Sequence, residues 1–211
     1  MTLLVIGLTG GIATGKSRAA RLFRGFGVPV FDADAAVHAL FAPGSPMVDE
    51  IAAAFPGTRD ETGAIDRKAL GGRVFGDPAA LRRLEGIVHP AVRQAERRFL
   101  QRLARYRFEM AVLDVPLLLE TGAERLVDCV VVVEVRSEIQ ATRALRRPGM
   151  TAEKLAAIRR QQLPGAEKRR RADFVLPAGY DRGASACGIA AILGRLDRWP
   201  RRAWPDAWLR H

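Results

Sequence analysis

Between Gly10 and Ser17 the chain reads Gly-Gly-Ile-Ala-Thr-Gly-Lys-Ser, so four residues separate Gly10 from the run Gly15-Lys16-Ser17. That spacing suits phosphate. Gly11 and Gly15 let successive backbone N–H groups converge on phosphate oxygens, and a helix opening near Lys16 adds its positive end. The Lys16 ammonium then bridges the β- and γ-phosphates, while the Ser17 hydroxyl is a magnesium ligand. The context is the one this loop requires. The apolar run Leu3 to Leu8 precedes it as a strand, and Ala19, Ala20, Leu22, Phe23 and Phe26 recur behind it at helical spacing. The expected ligand is ATP or another nucleoside triphosphate with Mg2+, contacted by Gly11, Ile12, Ala13, Thr14, Gly15, Lys16, Ser17 and Arg18.

Two further sets of residues bear on what happens to the phosphate. Asp32-Ala-Asp34 follows the short apolar stretch Val28 to Phe31, where a carboxylate either takes the proton of an attacking hydroxyl or caps the helix that follows. Met110 to Asp114 is four apolar residues ending in Asp, a shape that puts a carboxylate at a strand tip, where it supports magnesium beside Ser17. Val115 to Glu120 continues it as a rigid loop with an apolar floor suited to an organic acceptor. His89-Pro90 is expected to start a long amphipathic helix, Pro favouring the first turn. Arg143, Arg146, Arg147, Arg159, Arg160 and Arg169 to Arg171 lie in a helical hairpin broken at Pro148-Gly149. This is the composition of a lid that closes guanidinium groups over a transferring phosphate, and also that of a solvated helix face.

These side chains need a frame. Strands are expected at Leu3–Leu8, Val28–Phe31, Met110–Asp114, Cys129–Glu134 and Asp173–Leu176. The unbroken apolar character of Cys129 to Val133 implies burial on both faces, as in a parallel sheet. Helices are expected at 35–41, 47–55, 66–74, 78–88, 90–106, 137–171 and 184–196, which gives an α/β sandwich. The 211 residues, 48% hydrophobic and 27% charged, fit a folded soluble protein and exclude fibrous or disordered classes. No apolar run approaches the ~20 residues of a membrane span, so a cytoplasmic location is expected. Cys129 and Cys187 are too few for a disulfide framework or a four-cysteine zinc site, and both are expected to be buried. The net charge of +11 suits a polyanionic partner, and all but Lys16, Lys68, Lys154 and Lys168 of its cations are arginine. Trp199, Trp204 and Trp208 cluster in the tail 198–211, either as an arm packed on its own domain or as an aromatic clamp on a partner.

Taken jointly, Gly7 to Ile12 leading into the loop, Asp32-Ala-Asp34, Leu84-Glu85, His89-Pro90, Val112 to Glu120 and Arg143 to Arg147 resemble the dephospho-CoA kinases over nearly the whole chain. The resemblance implies a three-layer P-loop kinase core with a five-stranded parallel sheet, spanning 1–34, 107–136 and 172–197. It also implies a helical acceptor-binding region at 35–106 and an arginine-rich lid at 137–171. The implied reaction moves the ATP γ-phosphate to the ribose 3′-hydroxyl of dephospho-coenzyme A. Asp34 would be the base, Lys16 with Arg143 or Arg147 would contact the phosphates, and Thr9, His89, Pro116, Leu117 and Leu118 would line the acceptor. Neither a nucleic acid nor a membrane is an expected partner. The chain departs from the family pattern at Ala13 and Thr14, where glycine and serine are usual, at Arg18 and Pro148, and after Leu176, where Asn-x-Gly is usual. A shikimate-kinase-like enzyme would also carry Asp-x-Asp after its second strand, but needs a glycine-rich loop where Pro116 to Glu120 stands. A basic nucleotide-dependent nucleic-acid binder is the remaining alternative, distinguished by a steep salt dependence.

Overall fold

A computed structural model describes residues 2–179 and 182–209, and the backbone alone for Arg182. In chain order its elements are β1 (Leu4–Gly10), α1 (Lys16–Gly25), β2 (Val30–Asp32), α2 (Ala33–Leu40), α3 (Pro46–Ala54), α4 (Arg67–Val74) and α5 (Pro78–Arg105). There follow β3 (Met110–Asp114), a 3-10 turn (Ala123–Leu126), β4 (Cys129–Glu134), α6 (Ser137–Leu145), α7 (Ala152–Gln161), α8 (Gly165–Arg170), β5 (Phe174–Pro177), α9 (Arg182–Leu196) and α10 (Asp206–Leu209). The chain divides into two compact units, 1–31 with 100–211, and 32–99.

The first unit is built on a five-stranded sheet in the order β2-β3-β1-β4-β5. β1 pairs in parallel with β3 and with β4, and β4 with β5. Alternation within β4 explains its unbroken apolar run. Cys129, Val131 and Val133 join Leu4, Ile6 and Leu8 in a core closed by Ala19, Ala20 and Phe23 of α1 and Ile189, Ile192 and Leu196 of α9. Val130 and Val132 belong instead to a second cluster, with Leu118, Leu119 and Ala123. A strand covered on both faces has no position for a polar residue until its tip, where Glu134 stands. Apolar burial at about 25 cal/mol per Å2 makes this sheet the main source of the unit's stability.

The second unit has its own core, Phe41, Val48, Ile51, Phe55, Ile65, Leu70 and Val88. Asp32, Ser45 and Asp66 cap α2, α3 and α4 with their side-chain oxygens. The helix expected to begin at Pro90 does not begin there, because α5 runs unbroken from Pro78 to Arg105 with Pro90 inside it. Proline removes one helical hydrogen bond and crowds the carbonyl four residues earlier, here that of Gly86. Gly86, His89 and Pro90 are all exposed, so the released carbonyl meets water, while Leu84, Ile87, Val88 and Val92 keep the apolar stripe intact through the proline. The segment expected as a helical hairpin is divided into α6, α7 and α8 by Pro148-Gly149 and by Pro164. Cys129 is buried as expected, but Cys187 is exposed on α9.

The tail packs on its own unit. Trp208 is 2% exposed and its indole N–H donates to the Leu126 carbonyl at 2.9 Å. The Trp199 indole donates to the Asp128 carbonyl at 2.9 Å and its ring lies 5.2 Å from that of Phe174. The Trp204–Pro205 peptide is cis. No helix among the described residues is long and apolar enough to cross a membrane.

Candidate active site

The turn from β1 into α1 requires left-handed backbone at two places. Gly15 precedes the first helical residue with φ 104°, which glycine adopts without steric cost, and Ala13 adopts φ 58° despite its Cβ. Thr14 braces the loop from within, its N–H and its hydroxyl both reaching the Gly11 carbonyl, at 3.3 and 2.9 Å. Lys16 and Ser17 open α1, where the amides of a helix's first turn have no intrahelical acceptor. Those amides, the left-handed turn and the helix's positive end make an anion cradle from backbone alone.

Lys16 crosses from this loop to the tip of β3. Its ammonium lies 2.6 Å from Oδ1 of Asp114, which is 2% exposed. Register explains the meeting, since Leu8 of β1 pairs with Asp114 of β3 and the loop leaves β1 two residues later. The pair sets an ammonium directly against a buried carboxylate at the mouth of the loop. Ser17, exposed at the helix start, and Asp114 supply a hydroxyl and a carboxylate. With phosphate oxygens to complete the sphere, that is a donor set suited to magnesium, which binds few protein ligands. No cluster of three or more His, Cys, Asp or Glu side chains that could hold a metal ion occurs among the described residues.

The remaining expected site residues fall into distinct environments. Thr9 is fully buried and its hydroxyl donates to the Pro116 carbonyl at 3.0 Å, tying β1 to the loop after β3. In that loop Pro116 and Leu117 are partly exposed, whereas Leu118 is 1% exposed and belongs to the core. Glu120 accepts the Leu163 N–H at 2.9 Å and lies 2.6 Å from the Lys168 ammonium. Arg143 donates to the carbonyls of Ala178 and Gly179, at 3.0 and 2.9 Å, and Arg18 reaches Gly179 at 3.3 Å. Both therefore brace the turn that follows β5. Arg147 is exposed just beyond α6. In the second unit Asp32 accepts the Ala35 N–H at 3.0 Å as the cap of α2, while Asp34 is exposed in that helix's first turn; His89 is exposed on α5.

Three features were not expected from the sequence. Gln140 and Gln162 both bond to the backbone of Ile12. Glu96 is 3% exposed inside α5, with Arg93 at 3.0 Å, and burial raises its pKa to about 7 against the partial opposition of that guanidinium. A signal for Glu96 existed, since it stands in the apolar i, i+4 series Val88, Val92, Glu96, Leu100. The glutamines gave a weaker one, as uncharged amides in an arginine-dense hairpin.

The family model of the dephospho-CoA kinases matches residues 4–180. The dephospho-CoA kinase of Nitrobacter winogradskyi is 51% identical over 200 residues, which cover 95% of this chain and 99% of the relative. A crystal structure of a Thermus thermophilus protein superposes with a TM-score of 0.80 at 34% identity, covering 93% of this chain and 99% of the other. The dephospho-CoA kinase of Campylobacter jejuni shares the fold at a TM-score of 0.60 and 23% identity, over 91% of this chain and 96% of its own.

Proposed function

The chain belongs to the dephospho-CoA kinase family, and on that premise we propose how its residues carry the transfer of the ATP γ-phosphate to the ribose 3′-hydroxyl of dephospho-coenzyme A. The acceptor oxygen attacks the γ-phosphorus as Asp34 takes the hydroxyl proton. The bond from that phosphorus to the bridging oxygen breaks, and ADP leaves with the electron pair. Lys16 turns from Asp114 toward the β- and γ-phosphates, and the amides of Gly15 to Ser17 hold the β-phosphate. Arg147 brings a guanidinium to the charge that spreads over the transferring group. Arg143 acts on the nucleotide side, holding the turn after β5 against Gly15. Ser17 and Asp114 would hold magnesium, which offsets phosphate charge when it is bound with ATP. Thr9, Pro116 and Leu117 shape the acceptor side, Leu118 lies beneath them as its floor, and His89 contacts the acceptor from α5. Dephospho-coenzyme A is the partner. The enzyme works in the cytoplasm, where ATP is available to it.

The observation that supports this assignment of roles best is the contrast between the two carboxylates of Asp32-Ala-Asp34. The first is engaged as a helix cap, and the second is exposed. The test follows ADP release with Mg-ATP and candidate acceptors. Dephospho-coenzyme A is expected to drive turnover at least about 10²-fold faster than shikimate or adenylate, the scale at which a site built for one acceptor's polar groups rejects another. Equal rates with shikimate would overturn the acceptor assignment.

A further inference from the structure

The backbone of Ile12, at the crown of the phosphate loop, is held from both sides by the arginine-rich hairpin. The side-chain amide nitrogen of Gln140, in the first turn of α6, donates to the Ile12 carbonyl at 2.8 Å. Oε1 of Gln162, immediately after α7, accepts the Ile12 N–H at 3.0 Å. The orientation of each amide follows from its partners: the Ile12 N–H needs the oxygen of Gln162, and the Ile12 carbonyl needs the nitrogen of Gln140. Arg159 of α7 donates to Oε1 of Gln140 at 3.3 Å, which leaves only its nitrogen for Ile12. The chain beside Gln162 is anchored at Leu163, whose N–H is held by Glu120, and Glu120 is in turn paired with the buried Lys168. The approach is close, since a Cβ on Gly11 would lie 2.6 Å from Nε2 of Gln140 and would push that amide off the Ile12 carbonyl.

We propose that Gln140 and Gln162 are positioning residues for phosphate transfer, an amide clamp that fixes the direction of the cradle by fixing Ile12. With the Gly11 carbonyl held by the N–H and hydroxyl of Thr14 and both Ile12 groups held by the clamp, the loop's next backbone donors, those of Ala13 and of Gly15 to Ser17, are the ones left to face a phosphate. Gly10-Gly11 can take many conformations, so an unclamped loop loses that freedom only when the nucleotide binds, at a cost in affinity. The same contacts make the hairpin part of the loop's frame. A lid arginine on it therefore keeps its register with the phosphate it serves.

Polarity gives the experiment its discrimination. The Ile12 N–H needs only an acceptor, so Gln162→Glu preserves its bond. The Ile12 carbonyl needs a donor, so Gln140→Glu sets a carboxylate against a carbonyl while still accepting from Arg159. Both variants add one negative charge beside the same loop, and their difference isolates the clamp from repulsion of the nucleotide. ADP binding is measured by calorimetry, turnover with dephospho-coenzyme A by ADP release, and folding by thermal unfolding. Gln140→Glu is expected to bind ADP at least about tenfold more weakly than Gln162→Glu, with KM for dephospho-coenzyme A within about twofold in both and melting temperatures alike. Gln140→Ala and Gly11→Ala are expected to match Gln140→Glu in direction. Equal ADP affinities in the two Glu variants would overturn the clamp, as would losses that only track a fallen melting temperature. The inference rests on the loop binding the nucleotide's phosphates; an unsubstituted enzyme that fails to bind ADP would remove that premise, a result distinct from symmetric variants.

Discussion

Asp32 and Asp34 stand two residues apart in one helix start, yet their chemistry differs because only one of them has a backbone donor to satisfy. Asp32 accepts the Ala35 N–H, and asparagine caps a helix about as well as aspartate does. Asp32→Asn is therefore expected to leave stability and turnover nearly unchanged, while Asp32→Ala costs about 1 kcal/mol. Asp34→Asn keeps the shape and removes the proton acceptor, so turnover at saturating acceptor and magnesium is expected to fall by about 10²-fold or more. Steady-state kinetics beside urea unfolding separates the two, and an Asp34→Asn enzyme within a few-fold of the unsubstituted rate would move the base elsewhere. Ala13 offers a prediction of opposite sign. Its φ of 58° is unfavourable for any residue with a Cβ, by about 1–2 kcal/mol, and glycine would relieve that while adding unfolded-state freedom worth about 0.4–1 kcal/mol. Ala13→Gly is expected to stabilise the protein by about 0.5 kcal/mol in urea unfolding, and a loss of stability would mean the loop relies on that Cβ. The nucleotide loop, both aspartates and Asp114 were legible in the sequence because each is a residue type at a required spacing. The glutamine clamp was not, because an amide's partner is set by tertiary placement and leaves no period in the sequence.

Among the elements, the strands were the easiest to read and the long helix the hardest. β4 announced itself through five consecutive apolar residues, and the structure divides them between two cores. α5 departs from the expected start at Pro90 because the helix runs through the proline on its exposed side, where the released carbonyl belongs to the exposed Gly86. The same helix carries a test of burial. Glu96 has a pKa near 7 in the folded protein against an ordinary value of 4.5, so the folded state holds its proton through a range in which the unfolded chain has released it. The associated stability is fully present below about pH 4.5 and is lost as the pH rises to about 7. Glu96→Gln removes the titration. It is expected to flatten that decline and, at pH 8, to be more stable than the unsubstituted protein by up to about 3 kcal/mol. Urea unfolding at pH 5, 6, 7 and 8 measures both slopes, and parallel slopes would show that Glu96 is ionised in the folded state.

At the scale of the whole first unit, Asp128 joins three stretches of chain that are far apart in sequence. Its Oδ2 accepts the Val5 N–H at 2.7 Å, and its Oδ1 accepts the N–H groups of Arg202 and Ala203 at 2.5 and 2.7 Å. Its carbonyl accepts the Trp199 indole N–H, and Arg201 reaches the Thr2 carbonyl nearby at 3.0 Å. The sequence left the tryptophan tail between two roles, because aromatic residues among arginines suit a partner as well as an arm. What decides for the arm is an acceptor that no composition reveals: a carboxylate at the start of β4 with both oxygens facing backbone N–H groups. Aspartate is required there by number of acceptors. Asparagine has one oxygen, so Asp128→Asn must turn its NH2 group either toward Val5 or toward Arg202 and Ala203, leaving at least one amide facing a donor. One or more lost bonds to a charged acceptor, each worth about 1.5–3 kcal/mol, correspond to a melting temperature lower by about 5–10 °C in a chain of this size. Near-ultraviolet circular dichroism reports whether the tryptophans loosen together with that fall, as expected if the tail is held through Asp128. A fall in melting temperature with the tryptophan signal unchanged would assign the stabilisation to Val5 and β1 alone, and Trp208→Phe, which keeps the ring and removes the bond to Leu126, then measures what the tail contributes by itself.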